Sequence, residues 1–152
     1  MMDYFGSKRY LDTLPDWETG RAHVEPEENY LPRVRALLAR LGDPQTRIRS
    51  LIVGGTNGKG TVCSLLDEIA RSSGLRVGLY LSPHLHTQRE RIRVNGALLD
   101  KDKWAVAVTQ FRDATIDFSS ENLGQFTKFE ALTTLAVHMM ADAQVDWGIF
   151  EV

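Results

Sequence analysis

Apolar residues recur along this chain with two different periods, and the switches between them mark out the expected elements. Tyr4, Phe5, Tyr10, Leu11 and Leu14 predict a short amphipathic helix over Met2 to Leu14. Tyr30, Val34, Leu37, Leu38 and Leu41 fall three and four apart and predict a better helix over Asn29 to Leu41, capped by Gly42 and stopped by Pro44. Ile48 to Val53 is a short β-type run, and Arg76 to Leu81 is a continuous apolar one, hence a buried strand. Between them, Val62, Leu65, Leu66 and Ile69 predict the buried face of a helix that ends at Gly74. Arg91 to Val94 alternates like a strand, and Asn95-Gly96 signals a tight hairpin turn. Asp100 is placed to cap a helix running to about Phe118, with Trp104, Val108 and Phe111 inward. Thr127-Lys128-Phe129-Glu130 is a capping box; the helix it opens carries Phe129, Leu132, Ala136, Met139 and Met140 on one face. Asp146 to Val152 is a strand. Asp12 to Pro26, Ser82 to Glu90 and Ser119 to Gln125 are polar and irregular, so they are loops.

Strands alternating with helices argue for an α/β fold, a parallel sheet with flanking helices. Val152 lies inside an apolar strand with no turn, cap or polar tail after it. Three strands, one of them open at the terminus, make a poor finished sheet, so residues 1–152 are expected to be a fragment of a larger fold. A length of 152 residues suits one domain that buries roughly 70% of its unfolded surface. A hydrophobic content of 43% and a charged content of 25% are those of an ordinary globule. The net charge of −2 offers no basic excess to attract nucleic acid. Met1 to Tyr10 lacks the apolar centre of a signal peptide, and no apolar run is long enough for a bilayer, so a cytosolic location is expected. Cys63 rules out an internal disulfide and falls on the apolar side of its helix, where a packed thiol is expected.

The candidate chemistry sits in Gly54 to Thr61, G-G-T-N-G-K-G-T, between a strand and a helix. Glycines let backbone N–H groups curl around an anion, and the helix N-terminus adds partial positive charge. Lys59 would reach the β- and γ-phosphates of a nucleotide as a point charge. The general phosphate-loop pattern asks for Gly at position 53 and a hydroxyl at position 60, where this chain has Val53 and Gly60. The hydroxyl moves to Thr61, so a magnesium ion needs its oxygen from elsewhere. An ordinary glycine-rich turn is the duller alternative.

Several segments in order resemble the folylpolyglutamate synthase and dihydrofolate synthase family, within the wider Mur ligase group. They are L-L-A-R-L-G-D-P-Q (Leu37 to Gln45), G-T-N-G-K-G-T (Gly55 to Thr61), S-P-H-L (Ser82 to Leu85), E-R-I-R-V-N-G (Glu90 to Gly96), T-K-F-E-A-L-T (Thr127 to Thr133) and V-D-W-G-I-F-E-V (Val145 to Val152). Gly60 after Lys59 is similar to this family, whereas peptidoglycan Mur ligases usually have Thr or Ser there. The resemblance covers nearly all of the chain, which would be the N-terminal part of the ATP-binding domain, without the C-terminal glutamate-binding domain. It implies an ATP-dependent ligase, with ATP and magnesium as cofactors and dihydropteroate or folate and L-glutamate as substrates. The carboxylate would be activated as an acyl phosphate, and the amine of glutamate would then attack. Gly55, Thr56, Asn57, Gly58, Lys59, Gly60 and Thr61 would cradle the phosphates, Lys59 stabilising the migrating phosphoryl group. Ser82 and Glu151 resemble the family's magnesium ligands, and Thr127 and Phe129 resemble part of its pterin pocket. The resemblance also suggests a monomer.

The residues themselves leave other readings open. Ser82 before Pro83 starts a turn equally well, Thr127 is already a helix cap, and Phe129 lies on an apolar helix face. Glu151 is harder to explain away, because a buried carboxylate needs a partner or a metal. His84 and His86 are expected at the surface of a loop; Arg89, Arg91 and Arg93 would meet an anionic substrate or form a solvated hairpin face. Leu81 stands where the family often has Thr. The glycine-rich segment after Glu-Val, a downstream metal-binding histidine and the carbamylated lysine are not among these residues, so the chain is expected to bind nucleotide weakly and not complete the reaction. The competing functions are a non-catalytic nucleotide-binding module, a peptidoglycan-precursor ligase and a phosphate-loop kinase or NTPase. Val53 and Gly60 disfavour the last.

Overall fold

A computed structural model describes residues 1–16, 30–118 and 123–152. The predicted loops at 12–26 and 119–125 therefore fall partly outside the described residues. The chain forms two compact units, Met1–Asp43 with Lys101–His138, and Pro44–Asp100 with Met139–Val152.

The first unit is helical. It holds α1 (Tyr4–Asp12), α2 (Tyr30–Arg40), α4 (Lys101–Ala114) and most of α5 (Lys128–Asp142), while α3 (Lys59–Ser72) belongs to the second unit. Asp3 caps α1 by accepting the Gly6 N–H at 2.6 Å, which sets the start of the helix two residues later than the apolar pattern suggested. Leu11, Leu37, Trp104, Val108, Phe111, Leu132 and Leu135 are buried, whereas Phe5 is exposed. Phe126 packs edge-on against both Phe111 and Phe118, with ring centroids 5.4 Å apart in each pair.

One charged pair lies inside this apolar set. Arg33, on α2, is buried and donates from Nε to Glu130 Oε1 at 2.7 Å and from a terminal nitrogen to the Leu123 carbonyl at 2.9 Å. Glu130 is the far end of the predicted capping box, and its Oε2 accepts the Thr127 N–H at 2.7 Å and the Thr127 hydroxyl at 2.9 Å. The carboxylate thus caps α5 and ties it to α2 at once.

The second unit is a sheet in the order β1-β5-β2-β3-β4. β1 (Arg49–Val53), β5 (Trp147–Glu151) and β2 (Val77–Tyr80) are parallel; β3 (Ile92–Val94) and β4 (Ala97–Leu98) continue it antiparallel. The predicted hairpin is present, with Asn95 at φ 51° and Gly96 at φ 75°, the pair of left-handed residues that a two-residue hairpin turn requires. It joins the main sheet, so the sheet is mixed where the sequence pattern predicted parallel strands.

Helix α3 covers one face of this sheet, and of the four predicted residues only Leu66 takes part. Cys63 and Asp67 are buried, with Leu66 and Ala70 beside them, against Val77, Leu79 and Ile149. Val62, Leu65 and Ile69 are exposed. Each lies one residue, about 100° of helix rotation, before a residue of the buried stripe. Two overlapping helical stripes are apolar here, and only one meets the sheet. The other sheet face carries Gly78 and Gly148 under Met140, which is fully buried in the last turn of α5. A β-carbon on Gly78 would stand 2.4 Å from Met140 Cγ.

Two consequences are measurable. Gly78→Ala should destabilise the protein by about 1–3 kcal/mol, and Met140→Ala in the same chain should recover part of that in a double-mutant cycle followed by denaturant unfolding. Glu130→Ala, which strands Arg33 in the interior, should cost about 3–5 kcal/mol, while an apolar pair replacing both residues should cost far less.

Candidate functional site

β1 ends at Val53, and α3 begins at Lys59. Between them the backbone turns through Gly55 at φ 144° and Gly58 at φ 76°, conformations that side chains disfavour. Gly58 is the N-cap of α3 and supplies no side chain to its free N–H groups, so those donors remain for an anion. Thr56, Asn57 and Thr61 are exposed around this turn. Lys59 folds back over the loop, its Nζ donating to the Gly55 carbonyl at 2.8 Å. The expected cradle is therefore a shaped, open turn with its lysine already over it.

Glu151 stands beside this loop because of strand register. Val53 pairs with Glu151 across β1 and β5, and the Val152 N–H returns to the Val53 carbonyl at 3.0 Å. The Glu151 side chain is only 8% exposed. Its Oε2 accepts the Ser82 N–H at 2.9 Å, just past the end of β2. A β-carbon on Gly60 would stand 3.6 Å from Oε1, so a longer side chain at position 60 would project over the carboxylate. The two predicted metal ligands are thus neighbours, and the departure at position 60 lies against one of them. Cys63 lies beneath; burial, and then the negative charge of Glu151, push its thiol pKa up, which makes it a packed and unreactive group.

One carboxylate and one hydroxyl suit magnesium, which commonly takes one or two protein oxygens and completes its shell with water and phosphate. They do not make an all-protein cage. Among the described residues, no group of three or more His, Cys, Asp or Glu side chains could hold a metal. The donor set fits magnesium arriving with a nucleotide.

Ser82 opens a loop that runs to the 3₁₀ turn Gln88–Arg91, and its bond to Pro83 is cis. The loop closes at its base through the Leu81 N–H and the Arg91 carbonyl at 2.9 Å. Arg91 is buried and donates from Nε to His84 Nδ1 at 2.9 Å, which leaves the proton of a neutral His84 on Nε2. It is not part of a solvated hairpin face. Arg89 donates to the Leu99 carbonyl, and His86 is exposed as expected.

Glu90 is the residue that sequence reasoning missed. Its Oε1 accepts from the His86 N–H at 3.1 Å and the Thr87 N–H at 2.8 Å, and its Oε2 from the Leu85 N–H at 2.9 Å. The Leu85 N–H leads in holding the carboxyl below its usual pKa, against the opposing effect of desolvation; Thr87 and His86 add to it. The signal was present, since Thr87-Gln88-Arg89-Glu90 is itself a capping box.

Thr127 and Phe129 belong to the helical unit. The Thr127 hydroxyl donates to Glu130 and accepts the Glu130 N–H at 3.2 Å. One lone pair remains, so toward any ligand this hydroxyl is an acceptor. Phe129 is 42% exposed rather than core, which corrects the reading of its helix face and leaves its ring free for stacking. Among the described residues, no helix is long and apolar enough to cross a membrane.

No protein-family profile matches the chain. Curated relatives do. It is 37% identical over 122 residues to the dihydrofolate synthase/folylpolyglutamate synthase of Bacillus subtilis, which covers 80% of this chain and 28% of that protein. The Mycobacterium tuberculosis protein of the same name is 31% identical over 157 residues, covering 99% of this chain and 32% of the relative. Among solved structures, a complex of folylpolyglutamate synthase with AMPPCP and folate superposes with a TM-score of 0.87 at 30% identity, over 99% of this chain and 35% of that one. The Thermotoga maritima folylpolyglutamate synthase gives a TM-score of 0.85 at 33% identity, over 98% of this chain and 32% of its own. The chain spans about a third of the length of these relatives. Over that span, it belongs to the folylpolyglutamate synthase/dihydrofolate synthase family.

Proposed function

We propose that this chain carries the phosphate- and metal-binding part of an ATP-dependent ligase that joins L-glutamate to the carboxylate of a pteroate or folate. The observation that supports this best is the contact of the buried Glu151 carboxylate with the Ser82 N–H, beside a glycine turn already overlaid by Lys59. Relatives solved with AMPPCP and folate, and with ADP, add support from outside the chain.

A carboxylate is a poor electrophile and must first gain a leaving group. Its oxygen attacks the γ-phosphorus of ATP, the bond to the β-phosphate oxygen breaks, and an acyl phosphate and ADP result. The amine of glutamate then adds to the acyl carbon; phosphate leaves, a proton is lost, and an amide remains. Such transfer asks a protein mainly for position and charge. Gly55, Thr56, Asn57, Gly58, Gly60 and Thr61 would hold the phosphate tail, and Lys59 would leave the Gly55 carbonyl to follow the migrating phosphoryl group. Ser82 and Glu151 would hold magnesium, whose charge offsets that of the phosphates. Thr127 and Phe129 would meet the pterin, one as hydrogen-bond acceptor and the other by stacking.

Lys59→Ala should weaken MgATP binding by about 10–100-fold, the worth of a charge-assisted hydrogen bond, measured by titration calorimetry. The melting curve should stay in place, because the ammonium bonds only to an exposed loop carbonyl. A variant that binds MgATP as tightly as its parent would sink the proposal.

A further inference from the structure

We infer that Glu90 is a positioning residue for the metal site: by gathering successive backbone N–H groups of the loop after β2, it fixes where Ser82 stands beside Glu151. The inference rests on the functional reading above and names a residue that acts through Ser82 rather than on a ligand.

The loop leaves β2 at Leu81 and is held at its base by two bonds, Leu81 N–H to the Arg91 carbonyl and Ser82 N–H to Glu151. Beyond Ser82 the backbone is neither strand nor helix until Gln88. A segment of this kind samples many conformations unless something holds it, at about 1–2 kcal/mol of backbone entropy per residue fixed. Glu90 reaches back from the 3₁₀ turn and takes the N–H groups of Leu85, His86 and Thr87.

A helix cap alone does not account for this. The capping box needs only the Thr87 N–H, and that bond is present. The bonds to Leu85 and His86 reach outside the turn, toward Ser82. Arg91, the next residue, binds His84 on the same stretch. Adjacent residues at the end of the loop therefore hold its beginning, one by anion–amide contacts and the other through an imidazole. A hydroxyl meant for a cation must stand within a few tenths of an ångström of its place before the cation arrives, and outer groups of this kind set the affinity of metal ligands.

Glu90→Gln keeps the volume but turns one of the two acceptor oxygens into a donor facing N–H groups. Glu90→Ala removes both. The test titrates magnesium at fixed ATP, and separately ATP without metal, on parent and variants, with melting curves alongside. The Ser82 amide resonance in a ¹⁵N–¹H spectrum reports its position directly, even if a variant is less stable. The expected result is a magnesium requirement raised about 10–100-fold, a shifted Ser82 amide, and unchanged metal-free ATP binding. An unaltered magnesium requirement overturns the inference. So does an equal fall in affinity with and without metal, which would mean general loosening. A parent chain that takes up no ATP, or takes it up indifferently to magnesium, overturns the phosphate-site reading and this inference with it.

Discussion

A carboxylate taken out of water must be answered by a partner, and in this chain that requirement fixes the geometry around it. Glu151 meets it at the tip of β5 with the backbone N–H of Ser82. The contact exists because β5 lies between β1 and β2 in parallel, with Val53 opposite Glu151 and Tyr80 opposite Phe150. Parallel strands bring their C-terminal ends to one side of a sheet, which is where such folds place ligands. The glycine turn after β1 and the Ser82 loop after β2 therefore flank one buried acid. A slip of one residue in β5 would turn Glu151 to the opposite face and part it from Ser82.

Much of this was legible in the residues. Gly58 and Asn95-Gly96 sit where the backbone needs left-handed residues, and they were readable because few other residues tolerate that conformation. The capping box at Thr127 was readable because its chemistry is local. The α3 face was misread for the opposite reason. Val62, Leu65 and Ile69 form as good an apolar stripe as Cys63, Leu66 and Ala70, and only tertiary packing chooses between them. The solvated hairpin face offered for Arg91 fails likewise, since a charge in a polar loop gives no hint that it will be buried against a histidine seven residues earlier.

Glu130 and Glu90 solve the same local problem with different reach. Both are the acidic end of a Thr-x-x-Glu pattern, and both return to the N–H of their threonine. Glu130 turns its other oxygen to the buried Arg33 and so fastens a helix to a helix. Glu90 turns its oxygens to further backbone and so fastens a loop to itself. The short motif gives the cap; what the second oxygen does depends on the surroundings, which the motif does not encode. That is why the same pattern joins two helices in one unit and, in the other, holds the loop that carries Ser82.

The unchosen stripe of α3 has a practical outcome. Val62, Leu65 and Ile69 face solvent, Ile52 does the same on edge strand β1, and an apolar hollow of about 290 Å³ runs between helix and sheet, lined by Leu51, Leu66, Ile69 and Trp147 among others. Ile52 lies on the sheet face away from α3, since its neighbours Leu51 and Val53 pack toward that helix, so the exposed helix flank and the hollow form an apolar surface of their own. Charged replacements at Leu65 and Ile69 would shrink that exposed apolar surface without removing a member of the buried stripe.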